Sequence, residues 1–372
     1  MPYKCQICLA RILCYGLLTF LRVFMRGIWG LVLVVLMPFG ALAQGVGLDL
    51  YNASKFQEAQ KPLIAECAAD KKQSCEALGD LYFYGDLGQS DYEQAKKYLN
   101  IACDANLPSA CNNLGLIFQN GYGVTNDIKT ATDLFKKSCD LNVKYDSVKG
   151  CENLALVYRS GFFGEEEKPK EALYTQKSCD LLGGDGCSEI GLMYKDGRIF
   201  KQDIEKSGQY MKRACELKSV AGCGNFGLFL YSKQDYINSL KASDFACQYG
   251  VAISCLYAGV IEEDGKAGKQ DYQGAIKHYS IGCDNENFDA CNNLSLLYKK
   301  GLGTQVNFEN AFYYAQKACE NGSSDGCVNL AILYSNGVGV ARNQEFADKL
   351  MVTACNGGNK IACANLKEKQ RN

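Results

Sequence analysis

Residues 103–121 read Cys103-Asp104-Ala105-Asn106-Leu107-Pro108-Ser109-Ala110-Cys111-Asn112-Asn113-Leu114-Gly115-Leu116-Ile117-Phe118-Gln119-Asn120-Gly121. Counted from Cys111, Leu114, Gly115 and Phe118 fall at +3, +4 and +7, which is one face of a helix. Gly121 at +10 stands where a left-handed residue most easily ends it. The frame recurs along the chain. Position +3 is Leu78, Leu154, Ile190, Phe226, Leu294, Leu330 or Leu366, and +4 is small, as in Gly79, Ala155, Gly191, Gly227, Gly259, Ser295 and Ala331. Position +7 is usually aromatic (Tyr82, Tyr158, Tyr194, Tyr298, Tyr334), and +10 is Gly85, Gly161, Gly197, Gly265, Gly301 or Gly337. The small residue is expected to let a neighbouring helix come close. A second helix precedes each cysteine pair, with Ala95, Ala131, Ala275, Ala311 or Ala347 eight residues before the first cysteine. Five residues before it stands Tyr98, Leu134, Tyr174, Tyr210, Tyr314 or Leu350.

Extending this count outward gives nine cysteine pairs: Cys67–Cys75, Cys103–Cys111, Cys139–Cys151, Cys179–Cys187, Cys215–Cys223, Cys247–Cys255, Cys283–Cys291, Cys319–Cys327 and Cys355–Cys363. Successive first members are 36, 36, 40, 36, 32, 36, 36 and 36 residues apart. A period near 36 is that of helical solenoids, close to the tetratricopeptide unit. The expected fold class is therefore all-α, a TPR-like solenoid. Residues 44–372 form a single array of nine helix-turn-helix units, with one bridge from the last turn of one helix to the first turn of the next. Each bridge closes a short loop, worth roughly 2–3 kcal/mol in the chain-entropy view. Metal binding by these pairs is the weaker reading, because thiolate zinc sites use four ligands in closer pairs.

Two departures stand out. The 12-residue spacing of Cys139 and Cys151 puts four extra residues into the turn within 141–150. The 32-residue step from Cys215 to Cys247 lacks the Gly-rich loop and has Tyr231-Ser232-Lys233-Gln234-Asp235-Tyr236 in its place. A boundary within the array is expected near 231–236.

Residues 1–43 carry Lys4, Arg11, Arg22 and Arg26 and no acid. After Arg26 an apolar run from Gly27 to Phe39 leads to Ala41-Leu42-Ala43, the pattern of a cleaved signal peptide. The signal is placed at 25–43, behind an N-terminal extension, with an uncleaved anchor as the rival reading. Cleavage before Gln44 removes Cys5, Cys8 and Cys14, leaving an even 18 cysteines and a net charge of −5. An exported chain with paired cysteines is a disulfide framework, secreted or periplasmic. The membrane enters only through the uncleaved signal. The near-neutral balance of 40 basic and 41 acidic residues gives no footprint for nucleic acid, and the single His278 excludes sites built on two imidazoles.

The runs Cys111–Val124 and Cys327–Val340 resemble Sel1-like repeats. The cysteine pair in every unit resembles the Helicobacter cysteine-rich proteins over roughly residues 50–366. That resemblance implies a right-handed α/α superhelix with a bridge in each repeat. It also implies a possible β-lactamase activity, namely binding and slow hydrolysis of β-lactams or related peptidoglycan fragments.

The residues do not carry the corresponding machinery. No Ser has Lys three positions on, Lys-Thr-Gly is absent, and bridged sulfurs are not thiolates. His278 fills the slot of Tyr98, Tyr174, Tyr210 and Tyr314, as a core aromatic would. The catalytic residues stay unassigned. No cofactor or metal is expected, and the Gly-x-Gly loops lack the Lys-Ser/Thr end of a phosphate loop. Two residues after the second cysteine stand Asn113, Asn153, Asn225, Asn293, Asn329 and Asn365. Stacked in register, these form a ladder suited to the amides of an extended peptide, or one that holds the units together. The alternative function is a non-catalytic, monomeric scaffold for a protein or extended peptide.

Overall fold

The computed structural model describes residues 45–369, so the signal segment and its cleavage point lie outside the described residues. Those residues form nineteen α-helices, one 3-10 turn (Glu165–Glu167) and no strand. After α1 (Val46–Asn52), the helices that carry a first cysteine are α2 (Phe56–Ala68), α4 (Tyr92–Asp104), α6 (Ile128–Asp140), α8 (Pro169–Asp180), α10 (Ile204–Glu216), α12 (Tyr236–Gln248), α14 (Tyr272–Asp284), α16 (Phe308–Glu320) and α18 (Gln344–Asn356). Those that carry the second are α3 (Lys72–Tyr84), α5 (Pro108–Asn120), α7 (Val148–Arg159), α9 (Gly184–Asp196), α11 (Val220–Ser232), α13 (Ala252–Glu263), α15 (Phe288–Lys300), α17 (Ser324–Asn336) and α19 (Lys360–Lys369).

All nine neighbour pairs are bridged, with Cα separations between 4.3 and 4.8 Å. The turn beneath each bridge depends on one left-handed residue three after the first cysteine. It is Asp70, Asn106, Asn142, Leu182, Lys218, Gly250, Glu286, Gly322 or Gly358. Only some of these residue types favour that conformation, so side-chain identity does not announce the turn. The long Cys139–Cys151 turn accommodates its extra residues with a second left-handed position at Tyr145.

The other connections are Gly loops. Gly121, with φ 69°, caps α5, and Asp127 caps α6 by accepting from the amides of Lys129 and Thr130. The connection between α11 and α12 is different. Only Lys233, Gln234 and Asp235 join them, with Gln234 left-handed at φ 63°, the three-residue turn used elsewhere beneath the bridges. Exchanging the seven-residue Gly loop for this turn accounts for the four residues missing from the 32-residue step.

From α3 to α17, each odd-numbered helix packs most intimately on the even-numbered helix that follows its loop, and less on the one before its bridge. The disulfides therefore staple one closely packed hairpin to the next. The small +4 residues make this intimacy possible. A Cβ on Gly115 would sit 2.6 Å from the Phe135 ring, and one on Gly259 2.5 Å from Tyr279. Leu78, Ile117, Leu154, Ile190 and Leu294 are fully buried along the core, with Ala95, Ala131 and Ala275 opposite. Odd helices also touch one another in succession, as α3–α5, α5–α7, α9–α11 and α15–α17 do.

Candidate functional site

The asparagine row lies along the odd helices and joins them. Asn113 Nδ2 donates to Asp80 Oδ1 on α3 (2.8 Å), Asn153 to Asn112 Oδ1 on α5 (2.7 Å), and Asn225 to Ser188 Oγ on α9 (3.1 Å). Asn329 donates to Asn292 Oδ1 on α15 (2.5 Å), and the oxygens of Asn113 and Asn293 face Asn112 and Asn292. Asn365 is exposed on α19. Glu189, in the same slot of α9, pairs with Arg159 on α7 (2.6 Å), and Tyr257 meets the ring of Tyr231 on α11 edge-on. In six units the slot thus reaches back to the preceding odd helix, through amide, carboxylate or ring. Four of its amides each commit one donor to that contact.

A second register slot shapes the surface. The +7 residue of an odd helix meets the residue five before the cysteine of the following even helix. Tyr82 stacks on Tyr98 (centroids 5.9 Å apart), Tyr158 on Tyr174 (5.6 Å), Tyr194 on Tyr210 (5.8 Å) and Tyr298 on Tyr314 (5.7 Å). In the α11–α12 hairpin these positions are Leu230 and Ala242. Both large rings are missing, and an open cleft of about 820 Å³ lies there between α10 and α12. Phe226, Phe229, Phe245 and the bridged Cys215 and Cys223 line it, and the exposed Lys212, Lys218 and Lys241 stand at its rim. Lys218 Nζ lies 5.6 Å from the centre of the Phe245 ring, and Lys233 Nζ lies 5.6 Å from that of Phe229. The spacing alone did not reveal this cleft. The combined loss of bulk at +7 and at the facing slot was its signal.

The next hairpin fills the same two positions with charge. Glu262 and His278 replace the tyrosines. His278 Nδ1 lies 2.7 Å from Glu262 Oε2 on α13, and Nε2 lies 2.9 Å from Asp244 Oδ1 on α12. The ring is only 4 % exposed. Burial works against its protonation, but the two carboxylates outweigh it and hold its pKa above the ordinary histidine value. Position alone suggested a core aromatic; the structure makes His278 the centre of an ionic clamp tying three helices together. Both ring nitrogens are committed to carboxylates, and no serine is among their partners. Near the N-terminal end, burial and the charge of Asp80 push the Glu76 carboxyl up to about 7, although its Oε1 accepts from the Ala110 amide.

Stacked helical hairpins whose packing partners are their sequence neighbours define the class of α-helical repeat proteins. Within that class, the Sel1 repeat model matches residues 72–107, 108–143, 184–219, 246–287, 288–323 and 324–359, more than half of the sequence, and the chain belongs to the Sel1 repeat family. No curated protein matches it. Among solved structures it is similar to a protective antigen of uropathogenic Escherichia coli strains, at 24% identity and TM-score 0.73, covering 82% of this chain and 66% of the other. A Sel1 repeat protein from Oxalobacter formigenes superposes at TM-score 0.57 with 16% identity, over 92% of this chain and 98% of that one. The Helicobacter pylori cysteine-rich protein B is 25% identical over 35% of this chain and 93% of its own, at TM-score 0.30. At these values the first two likenesses speak for the fold alone, and the third adds nothing to it. The specific kinship with the Helicobacter proteins, and the β-lactamase activity it implied, are not carried by these matches.

Proposed function

We propose that this protein is an exported, non-catalytic scaffold that binds a protein or an extended peptide. The cleft over α11 carries this reading: it is an open recess of about 820 Å³ lined by Phe226, Phe229 and Phe245 together with exposed lysines and other polar side chains, within the size range of ligand sites, roughly 300–1,000 Å³. The asparagine row fits the scaffold as its spine more than as its reading head, because Asn113, Asn153, Asn225 and Asn329 already donate between helices. The exposed Asn365 and the free edges of that row remain candidate contacts for a peptide running along the odd helices.

Export is part of the proposal. Nine disulfides require an oxidising compartment. Exported material is expected to begin at Gln44 on mass spectrometry, and a chain retaining Trp29 would contradict this.

Selection of displayed random peptides on the oxidised chain tests the scaffold reading. Saturable binders are expected, and none of any composition would overturn it. A chromogenic cephalosporin incubated beside a mock preparation is expected to show no turnover above the mock. Turnover that purified with the chain would restore the β-lactam reading.

A further inference from the structure

We propose that the cleft over α11 seats an acidic peptide segment by one aromatic side chain, which enters the place of the missing tyrosine pair. This rests on the scaffold reading and adds the chemistry of the partner. The shape argument comes from the array itself. At the same register the neighbouring α9–α10 hairpin stacks Tyr194 on Tyr210, with ring planes 16° apart. With Leu230 and Ala242 in those positions, the wall already offers flat rings: Phe226 and Phe229 lie stacked at 6.2 Å and Phe245 lines the same recess. An inserted aromatic side chain meets further rings at offset-stacked or edge distances.

The charge argument comes from the rim. Lys212 on α10, Lys218 in the bridge turn and Lys241 on α12 enclose the opening from three segments. Two acids share that rim, Glu205 in an open pair with Lys233 and Asp235 at a helix cap. Glu205 Oε1 accepts from Lys233 Nζ (2.6 Å), and Asp235 caps α12, accepting from the Asn238 amide (3.3 Å) and its Nδ2 (2.8 Å). Lys212 approaches only Glu216, at 3.8 Å, with both side chains 63% exposed, a contact too open to hold it from a ligand. The rim thus carries a net positive charge beside the aromatic wall, three lysines against two acids. Asp or Glu flanking the anchor complements it, whereas Lys or Arg there meets like charge.

The test uses the full oxidised chain and short fluorescent peptides. One is rich in Asp and Glu around a single Trp, a second has Ala for the Trp, and a third has Lys and Arg for the acids. The first is expected to bind saturably and to weaken with salt. The others are expected to bind at least about tenfold more weakly, the size of effect that losing an anchor or reversing rim charge produces. The variant Leu230→Tyr/Ala242→Tyr rebuilds the stack of the other hairpins. It is expected to keep its thermal midpoint and lose the acidic peptide. Lys212→Glu/Lys241→Glu, confined to exposed side chains, is expected to invert the preference between the acidic and basic peptides. Equal binding of acidic and basic peptides, or a preference unmoved by Lys212→Glu/Lys241→Glu, would overturn the proposal, as would undiminished binding to the folded filled-cleft variant. In those cases displayed binders of other composition, or binders seated elsewhere, would leave the scaffold reading standing.

Discussion

His278 shows how one slot serves opposite chemistries. Where other hairpins put tyrosine on tyrosine, this one puts an imidazole between Glu262 and Asp244, and the pair of contacts spans α12, α13 and α14. The folded pKa of His278 is raised. Its stabilising contribution is therefore complete below the unfolded value, about 6.5, and is lost as pH rises through the folded one. Glu76 acts in the same direction in a lower window. Its carboxyl is raised from 4.5 to about 7, so its folded state also binds the extra proton, and stability falls as pH climbs between those values. Thermal midpoints measured across this range are expected to decline with pH in two steps. Glu76→Gln should flatten the first. Glu262→Tyr/His278→Tyr, which restores the tyrosine pair, should flatten the second while staying within about 1–2 kcal/mol of the parent, as replacement of a buried ion pair by well-packed groups generally does. His278→Ala alone, which strands the largely buried Glu262 carboxylate, should cost about 3 kcal/mol. A midpoint that rose with pH would contradict both assignments.

Among the elements, the α11–α12–α13 segment departs most from its neighbours. Its backbone is regular, since the short turn is closed by Asp235 N to Leu230 O (3.0 Å) and Gln234 N to Tyr231 O (3.0 Å). The irregularity is in the side chains. Leu230 and Ala242 leave the stack empty, and the buried hydroxyls of Ser243 on α12 and Ser254 on α13 have no hydrogen-bond partner. An unsatisfied buried hydroxyl costs about 1–3 kcal/mol. Local opening is expected to be easiest across residues 224–265, which keeps the boundary near 231–236 as a proposal. Peptide-resolved hydrogen exchange should show faster exchange there than across 283–337, and Ser254→Ala should slow it by relieving about 1 kcal/mol. Equal protection of the two regions would remove the boundary.

Over the whole molecule, stability is expected to be local and additive, because each hairpin touches only its neighbours and each bridge joins adjacent ones. Non-reducing peptide maps of the oxidised chain should find the nine neighbour pairs and no alkylatable thiol among residues 45–369. Replacing Cys319 and Cys327 together by serine should destabilise α16 and α17 by about 2–3 kcal/mol. Hydrogen exchange in α4 to α7 should not change. A uniform loss of protection along the array would mean that it unfolds as one unit.

Much of this was legible in the residues because it follows from local periodicity. The helix pairs, the nine bridges, the Gly caps and the close approach at Gly115 and Gly259 all arise between residues a few positions or one repeat apart, and a period near 36 writes them out repeatedly. The left-handed residue under each bridge was not legible. The bridge and the turn's hydrogen bonds impose that conformation on Leu182 and Lys218 as readily as on Gly322. The chemistry of the surface also depends on which side chains from successive hairpins meet. On sequence alone Asn113 and Asn153 could read a ligand or hold the units in register, and the packed helices give one donor of each to the preceding odd helix. His278 looked like a spare aromatic until Asp244, 34 residues earlier, reached its far nitrogen. The cleft exists because two residues on facing helices are both too small to fill it, a coincidence that has meaning only once the helices are packed.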